Sequence, residues 1–283
     1  MANNIELATK FTTLIDDLYK KESLTAILDA PTKVDFTGGN SVKVMKVSAT
    51  GLGDYSREEG YAKGNASLVW ETLTLGEDRS AEINVDRMDN EETLGVGFGA
   101  VMGEFSRVNV LPEVDAFRFA KYAQTAGIGS ASGVLADGEA VVKALRANAT
   151  YMDENEVPES ERILYITPTL YGLVEDLDTT KSRAVLNRFS TIIKVPQSRF
   201  YSKITMNDGT SNWGFAKAAD GKNLNFLTVA KSAVLQATKH ALPKVFDPDT
   251  NQKKDAWLFQ YRLYHDAFVY ENKEKGVYAH IGE

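Results

Sequence analysis

At 283 residues, 43% hydrophobic and 25% charged, the chain can bury a core for one large folded unit or two small ones. The absence of cysteine excludes disulfides, thiol nucleophiles and thiolate metal sites together, and agrees with an intracellular life. A net charge of −7, with four lysines against six acidic residues in positions 1–35, argues against gripping nucleic acid through its phosphates and against a basic N-terminal arm.

No apolar run is long enough to span a membrane, residues 94–103 being about half the needed length. The first ten residues, MANNIELATK, carry neither the basic leader nor the apolar core of an export signal. Leu7, Phe11, Leu14, Ile15, Leu18 and Tyr19 recur at helical spacing and predict a helix over residues 7–28, closed by Pro31. It is either an amphipathic helix on the domain's own core or an N-terminal arm laid across a neighbouring subunit. In the second case, removing residues 1–30 should leave a folded, soluble chain.

Ser41–Ala49 and residues 68–75 read as strands around a polar loop, residues 51–64, with four glycines, two tyrosines and five charged side chains. Loops of that length without structure of their own are uncommon, and an isolated hairpin is marginal in water. Something else should hold this one, and a neighbouring chain is the obvious candidate. The plain alternative is a mobile surface hairpin.

Residues 81–85 follow as a strand. Asp89 is placed as a helix N-cap, with Glu92 three residues on completing a capping-box pattern. Leu94, Phe98, Val101, Met102, Phe105 and Val108 form an apolar stripe until Pro112 kinks the helix or starts a second segment, LPEVDAFRFAKYA. Gly127, Gly129 and Gly133 end the element in a loop. Residues 137–149 predict another helix, 162–167 a short buried strand stopped by Pro168, 170–177 a helix, and 190–195 a strand halted by Pro196. FLTV at 226–229 predicts a strand, and the following AKSAVLQATK a helix. A β region closes the chain at 256–264, 267–270 and 276–280, with Trp257, Phe259 and Tyr261 alternating toward a core.

Chemistry-bearing patterns are weak. Gly95, Gly97, Gly99 and Ala100 nominally fit a dinucleotide fingerprint, but that fingerprint needs a strand-to-helix turn, and the capping residues put these glycines inside the helix. Gly95, Gly99 and Gly103 recur every fourth residue, which suits close backbone packing instead. His240, His265 and His280 have no second ligand at metal spacing. Adjacent acids such as Asp16/Asp17, Glu58/Glu59 and Glu91/Glu92 suit solvated or capping positions, and no serine sits in a nucleophile elbow. FDPDTNQKKDAW reads as a turn without the length or terminal glutamate of a calcium loop. No catalytic, cofactor-binding or metal-binding set is expected, and the chain is not expected to be an enzyme.

The loop at 51–64, the WETLTL strand and the VDRMDNEET run resemble the extended loop, return strand and start of the spine helix of tailed-bacteriophage major capsid proteins. LPEVDAFRFAKYA, ERILYITPTLYGLVED, IIKVPQ, FLTVAKSAVLQATKHALPKVF and YRLYHDAFVYENKEKGVYAH resemble later parts of the same family in the same order. The resemblance implies an α+β, Hong Kong 97-like fold. Its parts would be an N-terminal arm (1–40), an extended-loop hairpin (41–80), a peripheral subdomain with the spine helix (81–130), an axial subdomain (131–245) and a return to the peripheral subdomain (246–283). It implies a structural protein that assembles with itself, as pentamers and hexamers, into an icosahedral shell around phage double-stranded DNA. No sequence-specific DNA contact and no membrane partner are implied. The implied setting is the virion, assembled in the host bacterial cytoplasm. A portal is an expected partner, and so is a separate scaffolding protein, since no long charged helical region precedes Met1. The loop tip would lie on a neighbouring subunit, with Tyr55 and Tyr61 supplying packing and Arg57 and Lys63 polar contacts. The same fold would also serve an encapsulin-like protein compartment. An intracellular α+β enzyme is the reading from a different class.

Overall fold

The computed structural model describes residues 23–29, 40–58, 60–92, 96–177 and 179–282. The predicted helix at 7–28 lies outside them except for its end, where Ala26–Leu28 forms one 3-10 turn. The fold is α+β, built on two principal sheets with one long helical element between them.

β1 (Ser41–Ala49) and β2 (Ala66–Thr74) form a two-stranded antiparallel hairpin of their own. β3 (Glu77–Asp86) is longer than predicted and opens the first principal sheet. α1 (Arg87–Glu92) begins two residues before Asp89. Asp86, one residue ahead of it, accepts from Met88 N at 3.0 Å, so Asp86 takes the role assigned to Asp89, which sits in the first turn. α2 (Val96–Phe105) contains Gly97, Gly99 and Gly103 within the helix, as the capping argument requires, while Gly95 lies outside the described residues.

A single π turn (Ser106–Val110) joins α2 to α3 (Leu111–Gln124), and Pro112 sits in the first turn of α3, where its missing N–H costs nothing. The helix therefore continues past the proline. The predicted apolar stripe holds only in part. Met102 is buried, whereas Val101 and Val108 are 40% and 50% exposed. A 100° step per residue turns Val101 off the face that carries Met102.

β4 (Gly129–Ser132) follows a turn in which Gly127 adopts φ +84°. α4 (Gly138–Glu154) is capped by Asp137, whose carboxylate accepts from Ala140 N at 2.8 Å. Next come β5 (Arg162–Ile166), α5 (Pro168–Leu177), α6 (Thr180–Leu186), β6 (Thr191–Lys194), the short β7 (Ile204–Met206) and β8 (Phe215–Lys217), and β9 (Leu224–Ala230). β10 (Val234–Phe246) stands where a helix was predicted. Its AKSAVLQATK stretch is rich in helix formers, but twelve paired positions with β11 (Ala256–Val269) override that preference. β12 (Val277–Ile281) ends the chain.

The first principal sheet has the order β10-β11-β3, and the second the order β4-β12-β9-β5-β6. Residues 246–283 thus contribute to both, β11 returning to β3 while β12 pairs with β9 and β4. α3 packs Phe117, Phe119 and Tyr122 into the main core beside Ile163, Phe200 and Val229. Helices α4 to α6 cover the other face of the five-stranded sheet around Leu145, Met152 and Phe226. Met102 and Val114 meet Phe259, Tyr261 and Leu263 of the first sheet.

Residues 23–29 are part of this core. Leu28 is 2% exposed, and Thr25 is fully buried. Removing residues 1–29 is therefore expected to lower the melting temperature by roughly 10 °C relative to a chain lacking only residues 1–22, because a buried leucine and several buried hydrogen bonds are lost. This departs from the expectation for a free arm. Equal circular dichroism melts for the two truncations would count against it.

Candidate assembly surface

Among the described residues, the β1–β2 hairpin is fastened to the body mainly at its root. Val42 and Leu75 are buried against Leu235 and Ala237, with Tyr264 and Phe268 packed beside them. Leu75 N donates to Asn40 O at 2.9 Å, Tyr264 OH to Leu75 O at 3.0 Å, and Gly76 N to the buried Asp266 carboxylate at 3.0 Å. Further out, one exposed ion pair, Lys46 to Glu271 at 2.6 Å, ties β1 to the body.

Pairing places Met45 opposite Trp70 and Val47 opposite Leu68. Alternation along a strand puts these four on one face. That face is not covered: Met45, Trp70 and Leu68 are 52–56% exposed and Val47 is 57% exposed. A row of four large apolar side chains left to water makes this face a candidate interaction surface.

At the tip, Thr50 and Asn65 close the strands through two 3.0 Å hydrogen bonds. Ser56 and Gly60 exchange backbone bonds of 3.1 and 2.8 Å across a turn that needs φ +83° at Gly60, a conformation glycine adopts freely. Tyr55 and Tyr61 meet edge to face with ring centroids 5.2 Å apart, yet they are 63% and 87% exposed. Arg57 and Lys63 are exposed on the same loop. The structure therefore joins the two predicted tyrosines and leaves all four predicted contact residues facing solvent. The Met45–Val47–Leu68–Trp70 face was missed. Its signal was present in the alternating apolar residues of VKVMKV and SLVW, which no neighbouring element of the chain was set to cover.

A second apolar surface lies along β3. Ile83, Phe105, Val110, Val114, Tyr261 and Trp213 line an open groove of about 310 Å³. Arg79 closes one end, its Nε 2.6 Å from Glu113 Oε1, with Nη1 and Nη2 donating to Asn207 O and Gly214 O at 2.6 and 3.2 Å. Among the described residues β3 pairs with β11 alone, so its other edge borders the groove. The opposite edge strand, β10, is interrupted by Pro243 and by a register shift between Thr238 and His240. Such features blunt an edge, and β3 has neither. Trp213, on the loop between β7 and β8, is 73% exposed.

Nothing in these surfaces points to covalent chemistry. No group of three or more His, Asp or Glu side chains that could hold a metal ion occurs among the described residues. The acids of the 246–257 turn serve structure, Asp249 and Asp255 each lying 3.3 Å from Arg87. No described helix is long and apolar enough to cross a membrane.

No family model and no curated protein matches the sequence. Solved structures do match the fold. The capsid of cyanophage P-SCSP1u is 15% identical at a TM-score of 0.60, with 88% of this chain and 85% of that one covered. The capsid of Staphylococcus phage Andhra is 13% identical at 0.58, covering 90% and 83%. A virus-like particle from Pyrococcus furiosus is 13% identical at 0.61, covering 97% and 99%. The chain thus has the α+β fold of phage capsid proteins, as its sequence resemblance implied.

The hairpin root also contains the most perturbed imidazole. His265, opposite Glu77 in the β11–β3 pair, is 1% exposed with no hydrogen-bond partner at either ring nitrogen among the described residues. Burial, with smaller effects from Arg118 and Arg79, depresses it from 6.5 to about 3. The fold holds the neutral form, so its contribution is complete above pH 6.5 and drains as pH falls toward 3. Glu77 works in the opposite sense, its carboxyl being raised by burial and then by Asp266. His265→Phe is expected to flatten the acid limb of stability, sparing up to about 4 kcal/mol at the bottom of that window. Urea titrations at pH 7 and pH 4 would test it, and parallel losses in both proteins would refute it.

Proposed function

We propose that the chain is the subunit of a closed protein shell, specifically the major capsid protein of a tailed bacteriophage. The observation that carries this reading is a capsid fold whose hairpin leaves four large apolar side chains and both tip tyrosines in water. In this reading residues 1–40 are the arm, 41–80 the extended loop, 81–130 and 246–283 the peripheral subdomain with its spine, and 131–245 the axial subdomain. Copies associate into rings of five and six, and the rings close into an icosahedral shell.

The mechanism is geometric. The hairpin of one copy seats its Met45–Trp70 face on the next copy, and the groove along β3 is the surface best suited to receive it. Both halves of a head-to-tail contact lie on one chain, which suits rings that close by rotation. Interfaces of this kind cover on the order of 1,000–2,000 Å², and the closed arrangement makes each one reinforce the rest. The wall is acidic overall, at −7 per chain, so double-stranded DNA is enclosed without adhering. Assembly in the bacterial cytoplasm with a portal and a separate scaffolding protein completes this reading. It assigns no catalysis to the chain.

A second reading, an encapsulin-like compartment, is favoured by the near-complete mutual coverage with the Pyrococcus furiosus particle. Particles from the native source that protect double-stranded DNA from nuclease support the first reading, and particles enclosing an enzyme support the second. Replacing residues 55–63 with a short Gly-Ser linker, or Leu68 and Trp70 with alanine, is expected to leave the monomer melt nearly unchanged. Particle yield should fall steeply, because a loss of about 1–2 kcal/mol recurs at every contact. Sedimentation beside circular dichroism separates the outcomes. Normal particles would reduce the hairpin to a mobile surface feature, and a collapsed melt would assign it to the monomer's own core.

A further inference from the structure

The middle of the molecule contains a buried ionic cluster that the shell reading does not use. Asp115, on α3, is fully buried and carries a carboxylate. Its Oδ1 accepts from Ser23 Oγ at 2.9 Å, Thr25 Oγ1 at 2.8 Å and Thr25 N at 3.2 Å. Its Oδ2 accepts from Leu24 N at 3.1 Å and from Arg199 Nη1 at 3.3 Å. Four of these five donors belong to three consecutive residues, Ser-Leu-Thr, about ninety positions away in sequence. The segment is gripped from other sides as well. Arg118 Nη1 donates to Thr25 Oγ1 at 2.8 Å, and Gln236 Nε2 donates to Thr25 O at 3.3 Å and to Tyr122 OH at 2.9 Å.

We infer that Asp115, Arg118 and Gln236 form an internal binding site for the Ser23–Leu24–Thr25 segment, and that Arg199 links the seating of this segment to the turn between β6 and β7. The carboxylate anchors the two residues that lead into the one-turn helix at Ala26–Leu28, reaching across from another element. The ligand class is a peptide with hydroxyls at alternate positions around two free amides. Threonine fits at the second hydroxyl because its Oγ1 donates to Asp115 while accepting from Arg118.

The link to Arg199 follows from charge. Asp115 and Asp29 face Arg118 and Arg199, Arg118 lying 3.8 Å from Asp29. Asp29 is half exposed on its side chain, and its carboxyl is raised by burial, with Arg118 opposing and Asp115 adding to the shift. The two cations and two anions balance. Without Arg199, the fully buried Asp115 carboxylate loses its ion-pair partner, and breaking a buried pair from one side is costly unless water reaches the charge left behind. The segment at 23–25 is the part of the wall that can leave to admit it. Arg199, on the Gln197–Arg199 turn, thus governs a segment that it does not itself hold. The seating of Ser23–Thr25 and the position of that turn are set together.

Native-state chymotrypsin digestion of the full chain tests this, because Leu28, in the one-turn helix that follows the segment, is buried until the segment opens. Thr25→Val, which removes one hydroxyl, and Arg199→Met are each expected to speed cleavage at this leucine by about tenfold, the cost of one buried hydrogen bond expressed as opening. Lys203→Met, which breaks only the exposed pair with Asp220, should leave the rate unchanged. Arg199→Lys keeps the charge and should restore most of the protection, which also covers the case in which Arg199→Met misfolds. Wild-type cleavage rates in Thr25→Val would overturn the binding site. Fast cleavage in Thr25→Val with wild-type rates in Arg199→Met would overturn the link. Failed protection by Arg199→Lys would overturn the charge argument. None of these outcomes depends on whether a shell forms.

Discussion

Burial of α3 on almost every side is the constraint from which the rest of the molecule follows. Nine of its 14 residues are buried, far more than the single stripe an ordinary surface helix hides. Its apolar side chains serve two cores at once. Phe119 meets Tyr165 and Phe200 edge to face at 4.9 and 5.1 Å, while Val114 faces Phe259 and Tyr261 of the other sheet. A helix wedged between two sheets cannot turn its polar residues to water, so Asp115 and Arg118 must find partners inside. Those partners come from 23–25, from Arg199 and from Asp29, while Glu113 takes Arg79. The N-terminal segment, the strand after the hairpin and the turn after β6 are all keyed to one helix by the need to satisfy charge in a low-dielectric interior.

The sequence made some of this legible and hid the rest for identifiable reasons. β1 was placed to the residue, β5 to within one, and the start of α4 to within one, because alternation, a bounded apolar run and a stretch of helix formers are local signals. β4, with the sequence GSAS, and the three-residue strands β7 and β8 carry no periodicity to detect. β10 was misread because its first half has helical composition, and only the partner strand decides the matter. The candidate surface divides in the same way. Tip residues were found by their position in a polar loop, whereas the Met45–Trp70 face required knowing that β1 and β2 pair in that register with one side left uncovered. Asp115 and Thr25 lie 90 positions apart, beyond the reach of any window along the chain.

The two apolar surfaces pose a solubility problem that the chain solves by unequal protection of its edges. On β10, Pro243 and the register shift near Lys239 discourage another strand from pairing. On β3, the solvent-facing positions carry Asp78, Glu82 and Asp86, with Asp78 held by Arg262 at 2.6 Å and Glu82 by Gln260 at 2.9 Å. Charge beside an open edge does not forbid pairing, but it selects among partners. The hairpin in turn interleaves its apolar face with Lys43 and Thr72, which share that face in the register.

Among the described residues the hairpin is anchored at its base and, beyond it, held to the body by the exposed Lys46–Glu271 pair. Packing its outer half onto its own body would cover the Met45–Trp70 face, and loosening its root would lose the direction in which that face points. Asp266 holds Gly76 and Tyr264 holds Leu75, both at the junction where β2 becomes β3. The same β11 that supplies these two residues runs on to Tyr261, which lines the groove. One strand therefore sets both the angle of the projecting hairpin and part of the lining of the groove along β3, so a change in β11 bears on both apolar surfaces together.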